Sequence, residues 1–337
     1  MRGLLVLAAA CSAPATLSEL STAERRADSG DTDGAIVAYH EAQATCGQLR
    51  PARRAKATCA DALLGEGEVL EHAQRMQQAI EAYLAIPARV PDDITTSATA
   101  VERAGELQLR AGATVPAWTS LWRVVTDWPS EPAAVDALRH LLEDGRGRDP
   151  RALADQMTKL LTPLAKTAVA DNLVWSLADL SEHELADAAA ARALYDRIPV
   201  DYPNSGLRDD ARWHGARISR AMGDPGGAVK RLRGLTATRD VAWISGSYFS
   251  IWLDDAQLLL GRVLRDDLHD LPGAIKAFET LPKDYPASIL KDDALFELAV
   301  TQHAAGNQDK ACAAIAKLVK ESPDSKYRAR RAEAGCE

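Results

Sequence analysis

GELQLRAGATVPAWTSLWRVVTDWP, residues 105–129, carries the spacing on which the fold turns. Gly105 is followed twelve residues later by Ala117, and then at intervals of four, three and five by Leu121, Val124 and Pro129. Apolar residues four and seven positions beyond Ala117 keep one face of a helix buried. Proline lacks an amide hydrogen and clashes inside a helix, so Pro129 ends that helical region. Gly112 lies between, where a first helix must turn back. Gly105 is small enough to let two antiparallel helices cross closely. The segment therefore predicts a helical hairpin.

The same spacing recurs as Gly67, Ala79, Tyr83, Ile86, Pro91 and as Ala299, Ala311, Ile315, Leu318, Pro323. Asp179, Ala191, Tyr195, Ile198, Pro203 repeats it with a polar first member. Gly261, Ala274, Phe278, Leu281, Pro286 repeats it with one extra residue, expected in the turn. Ala23, Ala35, Tyr39, Ala42 and Ala216, Ala228, Leu232, Leu235 lack only the spaced proline. Gly30, Gly223 and Gly306 stand where Gly112 does. From Ala117 to Ala191 is 74 residues, room for one degenerate unit around 131–168. The chain thus reads as all-α: an α-solenoid over residues 17–337, with seven clear hairpins, one degenerate hairpin and about sixteen helices. A single compact core rarely serves 337 residues, but stacked repeats escape that limit because each packs only on its neighbours.

Composition agrees. Hydrophobic residues make up 47% and charged residues 26%, which excludes a disordered chain. Period-two runs of β-branched residues are nearly absent, which argues against a sizeable sheet. The net charge of -8 excludes a nucleic-acid partner, since phosphate binding needs a basic footprint. The short basic stretches at 50–56 and 326–331 read as solvated helix faces.

These repeats resemble the tetratricopeptide repeat, over nearly all the chain beyond residue 17. Ala35, Ala79 and Ala117 are 44 and 38 residues apart, longer than the roughly 34-residue unit, so long inter-repeat turns are expected. Asp201-Tyr202-Pro203-Asn204-Ser205 leads into Arg208-Asp209-Asp210-Ala211, and Asp284-Tyr285-Pro286-Ala287-Ser288 into Lys291-Asp292-Asp293-Ala294. Glu321-Ser322-Pro323-Asp324-Ser325, before Tyr327-Arg328-Ala329, is a weaker copy. The serine is expected to cap the following helix. The junctions resemble repeat proteins of the bacterial envelope, namely the BamD-type outer-membrane lipoproteins and the Tol-associated cell-division coordinator. That resemblance implies a scaffold facing the periplasm whose partners are components of envelope complexes.

Residues 1–10, MRGLLVLAAA, carry one positive charge, a short apolar run and small residues, a signal-peptide pattern ending at Cys11. The run is far shorter than the roughly 20 residues that span a bilayer. Small residues ahead of a cysteine resemble a lipobox, which implies a lipid anchor on Cys11 and a short linker over 11–16. Ala8 replaces the usual leucine of that motif. Ala8-Ala9-Ala10 also suits an ordinary signal peptidase, and without cleavage the run would open a buried cytoplasmic helix. The remaining cysteines fall into two local pairs, Cys46 with Cys59 and Cys312 with Cys336. In an oxidising compartment such pairs form disulfides that staple end repeats, and otherwise they are buried thiols.

No glycine-rich phosphate loop, His-Glu-x-x-His or Gly-x-Ser-x-Gly motif is present, so neither catalysis, cofactor nor small-molecule substrate is expected. The seven histidines show no metal-ligand spacing and no metal is expected. Acidic pairs Asp209-Asp210, Asp266-Asp267 and Asp292-Asp293 read as companions of helix N-termini. Trp243, Tyr248, Phe249 and Trp252 cluster where the repeat spacing lengthens to 46 residues. They are either a partner-binding hot spot or the filling of a widened core. Two functions remain: a membrane-tethered protein-binding scaffold, or an accessory subunit that binds peptidoglycan or a peptidoglycan enzyme through an aromatic groove.

Overall fold

A computed structural model of the chain describes residues 15–49, 52–237 and 250–337, all helices and turns without a strand. Expectations for residues 1–10 and Cys11, and for Trp243, Tyr248 and Phe249, concern positions outside the described residues. The chain divides into two compact units, 1–173 and 174–337.

In the first unit, four hairpins follow one another: α1 (Ala15–Asp28) with α2 (Thr32–Thr45), α3 (Ala52–His72) with α4 (Met76–Arg89), α5 (Ile94–Arg110) with α6 (Thr114–Asp127), and α7 (Pro132–Arg146) with α8 (Pro150–Leu160). The last is the degenerate unit, whose second helix is cut to 11 residues where 14 is the rule in this half. The second unit holds α9 (Ala170–His183), whose first residues precede the division, with α10 (Ala188–Asp201). It continues with α11 (Arg208–Ala221) and α12 (Pro225–Thr236), α13 (Leu253–Arg262) and α14 (Leu271–Asp284), and α15 (Lys291–Ala304) and α16 (Gln308–Glu321). A 3-10 segment, Lys326–Ala334, closes this unit.

The apolar register of the sequence is the buried register. Ala117, Leu121 and Val124 are buried on α6, Ala79, Tyr83 and Ile86 on α4, and Ala274, Phe278 and Leu281 on α14. The larger of these side chains each contribute about 1.5–3 kcal/mol on burial, and the alanines less. Glycines at the crossings are there for close approach. A Cβ built on Gly67 would lie 2.3 Å from the ring of Tyr83, one on Gly105 2.7 Å from Leu121, and one on Gly261 2.3 Å from the ring of Phe278. Helices α4, α10 and α14 end two residues before Pro91, Pro203 and Pro286, yet run through Pro87, Pro199 and Pro282 in their last turns. Only the later proline of each pair is a terminator.

Three details differ from the sequence reading. The extra residue between Gly261 and Ala274 sits in the helix, not the turn: α13 continues as a π-helical segment, Val263–Asp267, closed by the Leu268 amide on the Val263 carbonyl at 3.1 Å. A π segment absorbs one added residue without breaking the helix. Asp266 and Asp267 therefore stand at a helix C-terminus, where the dipole disfavours them. Their charge is offset by Arg220, at 3.6 and 2.7 Å. Ser205 and Ser288 do not cap helices. Each accepts the amide of a residue two further on, Leu207 or Leu290, in the turn ahead of α11 or α15. Ser325 does cap, at the start of the closing 3-10 segment, while most α-helix side-chain caps are aspartates at second helices, among them Asp187, Asp224 and Asp270.

The residue before the cap of every second helix except α8 turns left-handed. Gly30, Gly112, Gly223 and Gly306 do so with φ of 75–80°, and Gln74, Ala186 and His269 do so at φ of 59°, 52° and 54°. Side chains rarely adopt this conformation, which costs about 1 kcal/mol. Ala186→Gly is therefore expected to stabilise the chain by about 0.5–1 kcal/mol, part of the gain being lost to the looser unfolded chain. Chemical denaturation followed by circular dichroism measures it, and an unchanged or lower midpoint would refute the strain.

Candidate partner-binding surfaces

The Trp252 neighbourhood is a repeat junction. Ser250 Oγ accepts the Trp252 amide at 3.3 Å, as Ser288 does for Leu290 and Ser325 for Tyr327. Ser250-Ile251-Trp252-Leu253-Asp254-Asp255-Ala256 is thus another copy of the junction that precedes α11 and α15. The serine, two places before the aromatic and four before the acidic pair, was the signal that identifies it. Trp252 stacks on Trp213 of α11, with ring centroids 5.1 Å apart and planes 13° from parallel. Its indole N–H donates to Asp210 Oδ1 at 2.6 Å. Trp213, unmarked by any sequence pattern, is what the fold brings to Trp252.

The acidic pairs have a common purpose. Ser288 Oγ donates to Asp254 Oδ2 and Ser325 Oγ to Asp292 Oδ2, both at 2.6 Å, and the Tyr327 hydroxyl donates to Asp293 Oδ1 at 2.5 Å. With Trp252 on Asp210, each pair at the start of a first helix receives the junction of the following repeat. Charge-assisted bonds of this kind are short and stronger than neutral ones, so the acids fix how successive repeats stack.

Beside the indole stack lies an open cavity of about 480 Å³ lined by Trp213, Arg217, Arg220, Ala221, Leu259 and Asp267. Trp213, Arg217 and Arg220 share a face of α11 because they are spaced by four and three residues. Arg220 is engaged with Asp266 and Asp267. Arg217 has no carboxylate partner among the described residues and is exposed. An indole beside an exposed guanidinium suits an aromatic or acidic side chain.

On α9 to α11, the Tyr195 hydroxyl donates to Glu182 Oε2 at 3.0 Å and His214 Nδ1 faces the same oxygen at 2.9 Å. Trp175 packs edge-on against both rings, at 5.1 and 5.4 Å.

In the first unit the fold assembles side chains that sequence spacing could not relate. Glu102 and Glu106 lie one turn apart on α5, and His140 comes from α7. His140 Nε2 is 3.1 Å from Glu102 Oε1, with the two side chains 13% and 10% exposed. Burial first, then the neighbouring carboxylates of Glu106 and Asp136, push the Glu102 pKa up to about 7. Burial, and then Arg139, lower that of His140.

The structure also joins Cys46 to Cys59 and Cys312 to Cys336, with Cα atoms 5.2 and 5.5 Å apart. One bond ties the end of α2 to α3, and the other ties α16 to the end of the chain.

Residues 255–288 and 293–325, which are the α13–α14 and α15–α16 hairpins, match the family model of the tetratricopeptide repeat. A search of curated proteins gives no match. Among solved structures, the chain is similar to the C-terminal part of a TPR repeat-containing protein from Cytophaga hutchinsonii, with TM-score 0.43, 13% identity and coverage of 93% of this chain and 98% of that one. It is similar also to the MamA protein, with TM-score 0.42, 15% identity and coverage of 58% and 94%. A third is YrrB, a TPR protein with an unusual peptide-binding site, with TM-score 0.42, 14% identity and coverage of 60% and 93%.

Proposed function

We propose, on the premise that the chain carries tetratricopeptide repeats, that it is a non-enzymatic protein-binding scaffold of the bacterial cell envelope. A lipid on Cys11 would hold it to the outer membrane with its repeats in the periplasm, among components of envelope-assembly or cell-division complexes. The observation that carries the binding role is the Trp213 and Arg217 surface on α11: an indole and a guanidinium without a carboxylate partner among the described residues, over an open cavity. The apolar run before Cys11 and the two local cysteine pairs support the compartment. Tethering raises the local concentration of a bound partner without new contacts.

A photo-crosslinking residue at position 221, which lines the same cavity and leaves Trp213 and Arg217 in place, used in the native host with mass spectrometry of the membrane fraction, tests this reading. Recovery of envelope proteins is expected, reduced about tenfold by Trp213→Ala, which removes an aromatic anchor of about 1.4 kcal/mol or more. Recovery of soluble cytoplasmic proteins only, with an uncleaved N-terminus, would refute the envelope scaffold. Saturable binding of peptidoglycan fragments in place of protein would favour the accessory-subunit alternative.

A further inference from the structure

The cluster between α5 and α7 has the composition and spacing of a metal site. Ligand atoms of Glu102, Glu106 and His140 all lie within 4.8 Å of one another. The 3.1 Å separation of His140 Nε2 from Glu102 Oε1 is that of two ligands sharing one ion, each about 2.1 Å from it. Glu102 is buried, and a carboxylate withdrawn from water calls for a compensating charge.

The nearby arginines do not supply it. Arg103 turns to Glu106 at 3.2 Å, while Arg139 turns to Asp136 and Glu143 at 3.5 and 3.4 Å. Glu106, Asp136 and Glu143 already outnumber Arg103 and Arg139 by three carboxylates to two guanidinium groups, so the arginines leave no positive charge over for Glu102. Arg139 also approaches His140 Nε2, at 3.4 Å. A guanidinium only donates, so Nε2 meets it with a lone pair, which a metal ion would take up in place of the arginine.

We infer that Glu102, Glu106 and His140 bind a divalent transition-metal ion of the zinc class, which cross-links α5 to α7. One imidazole with two carboxylates is a nitrogen and oxygen set that suits zinc, whereas calcium takes six to eight oxygens and magnesium keeps most of its waters. The site is independent of the α11 surface, which lies in the other unit. Its effect is to lock two first helices of the first unit in register.

The test uses the whole chain, freed of metal by a chelator and kept without thiol reductant so that the paired cysteines do not compete. Zinc chloride is titrated by calorimetry and thermal unfolding is followed with and without it. One ion per chain and a rise of about 5 °C at hundredfold excess over Kd are expected. Glu102→Gln keeps the shape, removes the ligand charge and should abolish the rise without lowering the metal-free melting temperature. His140→Gln should abolish it too. A wild-type chain that shows no rise overturns the inference. So does a rise that survives in both variants, or one that magnesium chloride produces equally.

Discussion

Gly261→Val is expected to destabilise the second unit by about 3 kcal/mol, at the upper end of what overpacking a native core costs. A Cβ there would come within 2.3 Å of Phe278 Cε1, and the ring has no room to retreat because Phe278 is completely buried. Ala274, Leu281 and Leu295 belong to the same core, so moving the ring disturbs both the α13–α14 hairpin and its neighbour. The π segment that follows Gly261 already holds the extra residue of this repeat and leaves little slack in the helix. Gly226→Val is the control, because no atom lies within 4 Å of a Cβ built at that position. Urea unfolding followed by circular dichroism compares the two. Equal midpoints would show that the close approach of α13 and α14 does not depend on glycine.

Cys336→Ser is expected to lower stability by about 3 kcal/mol under oxidising conditions and to have little effect in reductant. The pair closes a loop with a sequence separation of 24, and the chain-entropy model assigns a loop of that length about 3 kcal/mol. It fastens the closing 3-10 segment, which Phe296 and Tyr327 also anchor by stacking at 4.3 Å. Arg330 lies over the same rings, 4.7 and 5.3 Å from their centroids. Wild type and variant should melt together once both are in reductant, which breaks the Cys46–Cys59 bond in each. If reductant leaves the wild-type midpoint unchanged, the cysteines are thiols in solution, and the argument for an oxidising compartment loses that support.

Most of the hairpin architecture was legible in the sequence for a local reason. Helical periodicity, turn glycines and terminating prolines act over distances of one or two turns, which a linear spacing records directly. Gly105 with Leu121 and Gly67 with Tyr83 are 16 residues apart in sequence and in contact in space because a hairpin of fixed length brings them together. Where a local rule has exceptions, the reading slipped. Ala186 and His269 occupy the left-handed turn position without being glycine, and Ser205 and Ser288 bond within a turn instead of at a cap.

Contacts between repeats were not legible. Glu102 and His140 are 38 residues apart, and Trp213 and Trp252 are 39 apart; neither spacing belongs to any motif. Whether such residues meet depends on how one hairpin is set against the next, which is decided by inter-repeat packing and by bonds such as Trp252 to Asp210. By itself, then, the sequence determined the helix type, the hairpin register and which side chains are buried, because those follow from the chain's own local geometry. Only the tertiary structure decided which exposed and half-buried groups share a surface, because that depends on the stacking of units far apart along the chain.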